Sequence, residues 1–189
     1  MRKEEIRELK NRYVDYLVGL NDQHHNRPIE LSGFYSSLRK NPLFLNNEDH
    51  RDITNFLLSR LNEISEKYKY EQKLEQYITD TSFLICEMER MYSNRFIDGK
   101  FKLSHSQKTL SVYLKYRWCC GTNYTPPACP IDRNVLCRLG WPSCKIRWTK
   151  ITEPQYNDVL SQLSKRAEGE HTTIAEMELR WFDEMVITN

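Results

Sequence analysis

Two side chains near the middle of this chain, Lys108 and Asp132, are of the types used in nucleophilic and acid–base chemistry. Lys108 lies near the start of a helix predicted from about residue 107, and the free N–H groups at a helix N-terminus attract phosphate. Asp132 is the only carboxylate between Gly99 and Lys150, and it opens a short predicted helix, residues 132–139. Because Asp is a preferred N-cap residue, helix capping alone would also explain Asp132.

The charge of the chain is unevenly distributed. The formal net charge is +2. Residues 97–150, which we call the basic segment, hold ten basic and two acidic residues, a charge of +8, so the remaining residues of the chain carry −6. A charge concentration of this kind is typical of a surface that binds a polyanion, whereas a solvated helix face normally interleaves both signs. The ten basic residues are Lys100, Lys102, Lys108, Lys115, Arg117, Arg133, Arg138, Lys145, Arg147 and Lys150. The sequence therefore predicts that the basic segment binds the backbone of a nucleic acid.

The composition indicates a folded protein and excludes several classes. A hydrophobic fraction of 39% with 12% aromatic residues argues against disorder. No apolar run approaches the roughly 18 residues of a membrane span, and the first ten residues carry mixed charges, so we expect a cytoplasmic protein with no membrane partner. The six cysteines are expected to be reduced thiols. Their irregular spacing does not favour a metal site, so we expect neither metal nor cofactor.

The periodicity of apolar residues predicts an all-α fold, and the length of the chain suits two helical lobes around a cleft. Residues 1–98 would form an N-terminal helical region and residues 99–189 the basic region with closing C-terminal helices, the two folding as one unit. The apolar run Phe83-Leu84-Ile85-Cys86 predicts a centrally buried helix. Ser104 or Ser106 is the expected N-cap of the lysine-bearing helix. Helices are predicted at about 2–20, 34–38, 48–67, 71–97, 107–119, 132–139, 153–167 and from 173 onward.

The stretch around Lys108 and Asp132 resembles the core of the helix-hairpin-helix DNA glycosylases, the endonuclease III and 8-oxoguanine glycosylase-like superfamily. Those enzymes carry a lysine in a G-x-K-x-A-type turn, then a proline-containing loop, then an aspartate in a V-D-T-H-V-x-R-V-x-x-R-L pattern. Here Ser106-Gln107-Lys108-Thr109 corresponds to the lysine turn and residues 131–140, IDRNVLCRLG, to the aspartate helix. The match covers about 45 of 189 residues, and Gly99-Lys100-Phe101-Lys102-Leu103-Ser104 replaces the glycine-rich hairpin.

The resemblance implies a helix-hairpin-helix-like core and an enzyme that flips a base out of DNA and excises it. Asp132 would stabilise the oxocarbenium charge that develops on the sugar, and Lys108 would either attack the sugar carbon or hold a phosphate. Which base is excised, and whether the role is repair or defence against phage with modified DNA, stays open. So do two alternatives, a nucleic-acid-binding protein without catalysis and a helical protein with an acidic protein partner. Further predicted DNA contacts are Lys100, Lys102, Ser104, Ser106, Gln107, Lys115, Arg133 and Arg138, and the predicted wedge or base-pocket residues are Tyr113, Trp118, Tyr124 and Trp141.

Overall fold

The computed structural model describes residues 3–22, 29–32, 34, 43–45, 50–141 and 147–187. Within these residues the chain forms seven α-helices and no strand, which confirms the all-α prediction. The helices are α1 (Lys3–Asp22), α2 (Arg51–Lys67), α3 (Leu74–Tyr92), α4 (Leu103–Cys119), α5 (Arg133–Arg138), α6 (Glu153–Gly169) and α7 (Ile174–Phe182). None of the described helices is both long enough and apolar enough to cross a membrane. Except for residue 34, the helix predicted at 34–38 lies outside the described residues, as do Cys144 and Lys145.

Short irregular pieces connect these helices. Four are 3₁₀ turns, at Ile29–Leu31, Ser93–Arg95, Ile97–Gly99 and Trp148–Lys150, and a π-helical turn, Asp183–Ile187, follows α7. Asp98 and Gly99 both adopt positive φ angles, 60° and 65°, which turn the chain sharply between α3 and α4. Gly140, with φ of 76°, follows α5 at the position where the sequence predicts the stop. The capping box predicted between Thr173 and Glu176 is present at the start of α7.

Two hydrophobic clusters hold the helices together, and α4 contributes to both. The larger cluster joins α2, α3, α4 and α6 through fully buried leucines, Leu61, Leu84, Leu110 and Leu163. The smaller cluster packs α1 against the C-terminal part of α4 and against α7, through Leu9, Tyr13, Leu17, Trp118, Ala175 and Leu179. The helix α4 is therefore the common wall of two packed layers. The two-lobe arrangement and the division between residues 98 and 99 stay predictions.

The most deeply buried helix is α4, although its sequence is polar. Every residue from 104 to 115 is buried. The prediction that the apolar run at 83–86 marks the central helix is wrong, because α3 buries only one stripe and leaves Phe83 40% exposed. A run of apolar residues marks a fully buried helix only where other elements cover that helix on all sides. In this fold α4 is covered in that way and α3 is not.

Ser106 and Gln107 can occupy the buried helix α4 because their side chains hydrogen-bond to neighbouring elements. The Ser106 hydroxyl donates to the Thr81 carbonyl (2.7 Å). The Gln107 amide donates to the Ile131 carbonyl (2.8 Å), and its oxygen accepts from the Ile131 N–H (3.0 Å). Buried polar groups that are paired in this way cost little and fix the positions of the elements that they join. Gln107 thereby anchors the residue directly before Asp132.

The helix α4 begins one turn earlier than the sequence predicts. Its first residue is Leu103 and its N-cap is Lys102, whose side chain makes no capping hydrogen bond. Neither Ser104 nor Ser106 is the cap, and the Ser104 hydroxyl donates instead to the Thr149 carbonyl (3.2 Å). Lys108 therefore lies in the second turn of the helix, beyond the free N–H groups that would attract a phosphate.

Candidate active site

Lys108 and Asp132, which are 24 residues apart in sequence, are in direct contact. The Lys108 ammonium donates to Asp132 Oδ2 over 2.6 Å, and we call these two residues the outer pair. Their side chains are 11% and 26% exposed. The contact forms where α4 meets the start of α5, and the hydrogen bonds between Gln107 and Ile131 hold the intervening loop against α4. The two residues that the sequence singles out for chemistry therefore share one location.

Asp132 is also the N-cap of α5, as its residue type suggested. Its Oδ1 accepts from the N–H groups of Asn134 (2.9 Å) and Val135 (3.3 Å), while Oδ2 accepts from Lys108. Burial alone would raise the pKa of Asp132, but the charge of Lys108, its hydrogen bond and the two backbone amides outweigh burial, so the pKa lies below its ordinary value. Asp132 is thus an ionised carboxylate in a fixed orientation.

A cavity of about 180 Å³ adjoins the outer pair. One wall comes from α4 and from the segment that leads into α5, and the opposite wall comes from α1, α7 and the turn after α7. The lining residues are Tyr13, Tyr16, Leu17, Leu20, Lys108, Val112, Lys115, Pro130, Asp132, Asn134, Glu178, Phe182 and Val186. Pockets for drug-sized ligands typically measure about 300–1,000 Å³, so this cavity suits only a small group. It combines aromatic rings with charged side chains, the combination that a polar ring needs.

A second ion pair, which we call the inner pair, lines the same cavity. The Lys115 ammonium donates to Glu178 Oε2 over 2.8 Å, and the side chains are only 3% and 6% exposed. Lys115 follows Lys108 by seven residues, close to two helical turns, so both lysines lie on one face of α4. The Lys115 ammonium also lies 4.2 Å from the ring centre of Tyr13 and 4.3 Å from that of Phe182.

Glu178 is the residue that analysis of the sequence missed. Burial raises the pKa of Glu178 above its ordinary value, although Lys115 opposes the shift. A signal was present, because Glu178 follows Ile174 by four residues on the inward stripe of α7, where an acid needs a buried partner. The aromatic walls Tyr13, Tyr16 and Phe182 were missed too, since they come from the two ends of the chain.

The predicted DNA contacts divide into buried and exposed groups. Ser104, Ser106 and Gln107 are buried and bonded within the protein, so the prediction that they contact DNA is corrected: their polar groups hold helices together. Lys115 is also buried and is paired with Glu178, so it does not lie on a surface that could meet the phosphate backbone, but it lines the cavity. Lys102 pairs with Asp98 over 3.1 Å and Arg138 with Glu184 over 2.6 Å at the surface. Lys100 and Arg133 are exposed, as are Arg147 and Lys150, and these four make no ion pair with the described part of the chain.

The predicted wedge residues divide in the same way. Tyr113 and Trp118 are buried, and the Tyr113 hydroxyl hydrogen-bonds to Asn62 Oδ1 over 2.5 Å, so both are core residues and cannot stack on a base in this conformation. Tyr124 is 56% exposed. Trp141 is half-buried and donates to Gln162 Oε1 over 3.0 Å. Trp148, in the 3₁₀ turn beside the start of α4, has its ring centre 6.0 Å from the Lys108 ammonium.

The cysteines in the described residues are free thiols: Cys86, Cys119, Cys120, Cys129 and Cys137. Burial raises the pKa of the Cys129 thiol, which keeps it protonated. No group of three or more His, Cys, Asp or Glu side chains with the arrangement of metal ligands occurs in the part of the chain that the structure describes. No protein-family model, curated protein or solved structure matches this chain.

Proposed function

We propose that this protein is a DNA glycosylase, in which the outer pair acts on a nucleotide whose base enters the cavity. The observation that carries the proposal is the 2.6 Å contact between Lys108 and Asp132 on the wall of a small, aromatic-lined cavity. The resemblance to the helix-hairpin-helix glycosylases assigns both residues to one reaction, and the contact brings them together beside a cavity. Structural ion pairs also occur without a function, so the cavity beside this pair is what favours a functional role.

The proposed reaction places each member of the outer pair in one role. As the bond between sugar C1′ and the base nitrogen breaks, its electrons leave with the base and positive charge develops on the sugar. The ionised Asp132 stabilises that charge and accepts a proton from the water that bonds to C1′. Lys108 carries a proton while it is ion-paired, so it orients Asp132 in this scheme. It becomes a nucleophile only if it first passes that proton to another group.

The exposed cations of the basic segment suit the phosphate backbone. Arg133 follows Asp132 directly, and Lys150 follows Thr149, whose carbonyl is bonded to Ser104 at the start of α4. Lys100 precedes α4 by three residues, and Arg147 directly precedes the 3₁₀ turn at Trp148–Lys150, which contacts α4. Phosphate contacts of this type position DNA without reading its sequence.

The proposal is tested by incubating the protein with genomic DNAs that differ in base modification and then treating them with alkali. A glycosylase leaves abasic sites, which alkali converts into strand breaks. We expect breaks in at least one DNA and none when the protein is omitted. Intact strands in unmodified, damaged and modified DNAs alike, with a protein that binds them, would refute the enzymatic proposal.

The second candidate function is nucleic-acid binding without catalysis. It is favoured by the capping role of Asp132, since Oδ1 is already bonded to two backbone amides and Oδ2 to Lys108. This candidate predicts tight, salt-sensitive binding and intact DNA after long incubation. Competition by bulk duplex DNA separates it from the third possibility, an acidic protein partner.

Both nucleic-acid functions predict that binding weakens steeply as salt rises. Each neutralised phosphate contributes a slope of roughly −0.9 in a plot of log affinity against log salt concentration. Replacing Lys100 and Lys150 together by Gln should therefore make the slope less negative by up to about 1.8. The matched control is Lys165→Gln, an exposed lysine on α6 outside the basic segment. A salt response that is flat in the wild type, or equally changed by the control, would contradict DNA binding by the basic segment.

A further inference from the structure

The outer and inner pairs differ in the hydrogen bonds that their carboxylate oxygens accept. Both oxygens of Asp132 are engaged, by Lys108 and by the backbone of α5. In Glu178, only Oε2 accepts a hydrogen bond, from Lys115, and Oε1 accepts none from the described residues. Glu178 lines the cavity, and a carboxylate oxygen without a donor can accept a further hydrogen bond, which is worth more in a buried position than in water.

The lysine of the inner pair also has donor hydrogens that no described residue accepts. A protonated lysine has three donor hydrogens, and within the described residues only one of those on Lys115 is used, for Glu178. The rings of Tyr13 and Phe182 lie close to the same ammonium and line the cavity beside it. The inner pair thus presents one donor beside one acceptor, next to aromatic rings on which a planar molecule can stack.

From this arrangement we propose that the inner pair binds the hydrogen-bonding edge of a single-ring heterocycle, with Glu178 accepting from a ring N–H and Lys115 donating to the adjacent carbonyl. The occupant would be a lactam-edged pyrimidine of the uracil type. A single ring is favoured because the cavity measures about 180 Å³. A planar ring is favoured because Tyr13, Tyr16 and Phe182 line the space.

The exposure of the two pairs supports this division of roles. The inner pair is almost completely covered, at 3% and 6%, whereas the outer pair is more accessible, at 11% and 26%. A ring that reached the inner pair would leave its substituent, in DNA the sugar, near the outer pair. The inference rests on the proposed function for its setting, but the binding of a free base can be measured without any excision.

The test is a nuclear magnetic resonance titration of the folded protein with 1-methyluracil and with 1,3-dimethyluracil, up to about 10 mM of each, the concentration range of a weak complex. The first compound has one ring N–H, at N3, and carries its methyl group where DNA carries the sugar. The second methyl group removes that last N–H donor and keeps the ring. We expect 1-methyluracil to shift resonances of residues that line the cavity and to bind at least about tenfold more tightly than 1,3-dimethyluracil, because a hydrogen bond to a charged group is lost. Equal binding of both compounds, or no binding of 1-methyluracil, would overturn the inference.

Two variants complete the test. Removing one member of a buried pair endangers folding, so the pair is replaced as a whole, by Lys115→Met with Glu178→Met. This double variant should lose the preference for 1-methyluracil over 1,3-dimethyluracil, and an unchanged preference would overturn the inference. Asp132→Asn leaves the inner pair intact and should keep that preference. Loss of excision in Asp132→Asn with the preference retained concerns the outer pair alone, so failure of the enzymatic proposal and failure of this inference are distinguishable.

Discussion

The outer and inner pairs are chemically the same, a lysine of α4 and a carboxylate from a later helix or its cap, but their surroundings differ. The inner pair is sealed between α1, α4 and α7 and has two aromatic rings against its ammonium. The outer pair is partly open and is fixed by backbone amides. Burial therefore dominates the pKa of Glu178 and raises it, whereas the partners of Asp132 outweigh burial and lower its pKa.

Under the two proposals, one face of α4 serves two purposes. A carboxylate must be ionised and fixed to stabilise positive charge on a sugar, and the environment of Asp132 provides both conditions. A carboxylate that recognises a ring needs an oxygen that can accept a further hydrogen bond and shelter from water. Glu178 is buried, and its Oε1 accepts no hydrogen bond from the described residues. The segments that cover the two ion pairs therefore give them different environments.

The largest expected effect is on stability and concerns the inner pair. Glu178→Met should lower the free energy of unfolding by about 3–5 kcal/mol, because Lys115 would be left as a buried charge without its partner. Adding Lys115→Met should recover most of that loss, since an apolar pair of similar volume can replace a buried ion pair. Urea denaturation followed by circular dichroism measures both. If the single variant were as stable as the wild type, the inner pair would not be sealed as described.

A smaller effect is expected at the outer pair. Asp132→Ala removes the cap of α5 and should cost about 0.5–2 kcal/mol, whereas Asp132→Asn keeps a capping oxygen and should cost less. The same urea titration provides the measurement, and the inner-pair variants serve as the reference. If Asp132→Ala destabilised the protein as much as Glu178→Met does, the difference in enclosure between the two pairs would not be reflected in their energetics.

The smallest expected effect is an opposite response to pH, since each group contributes about 1.4 kcal/mol only for each full unit by which its pKa is shifted. The folded-state pKa of Asp132 is lowered, so its stabilising contribution is present above its ordinary value of 3.8 and is lost as pH falls below it. The pKa of Glu178 is raised, so its contribution is present below 4.5 and is lost as pH rises through the folded-state value.

The pH ranges over which the two contributions are lost lie on opposite sides of about pH 4, so the contributions of Asp132 and Glu178 can be measured separately. The free energy of unfolding should be measured between about pH 3 and 7 for the wild type, Asp132→Asn and Glu178→Gln. Asp132→Asn should reduce the loss of unfolding free energy that occurs as pH falls below about 4. Glu178→Gln should reduce the loss of unfolding free energy that occurs as pH rises above about 4.5. Variants that reduce the loss in the same pH range would contradict the assigned directions.

The sequence was informative where a local rule decides the structure. The all-α fold, the stop at Gly140 and the capping box at Thr173 depend on neighbours within a few residues, and all were predicted. Lys108 and Asp132 were selected by residue type and by a resemblance that spans both. Their contact depends on the loop that Gln107 anchors to Ile131, which no periodicity reveals.

The remaining features depend on partners far away in sequence. Burial of α4 could not be predicted from hydrophobicity, because Ser106, Gln107 and Ser104 hydrogen-bond to α3, to the segment before α5 and to the turn at 148–150. The inner pair joins residues 63 positions apart, and the aromatic wall from α1 lies still farther from α7. Only the acid on the inward stripe of α7 gave a local sign of that pair.

The most direct test of the central claim is to measure base excision and DNA affinity on one variant, Asp132→Asn. Asn keeps the size and most of the capping ability of Asp, so the folded protein should bind DNA about as well as the wild type. Excision under single-turnover conditions should fall by on the order of 10²- to 10³-fold, the usual cost of removing one preorganised electrostatic group. A folded Asp132→Asn protein that excised the base at the wild-type rate would contradict the account and leave Asp132 as a helix cap.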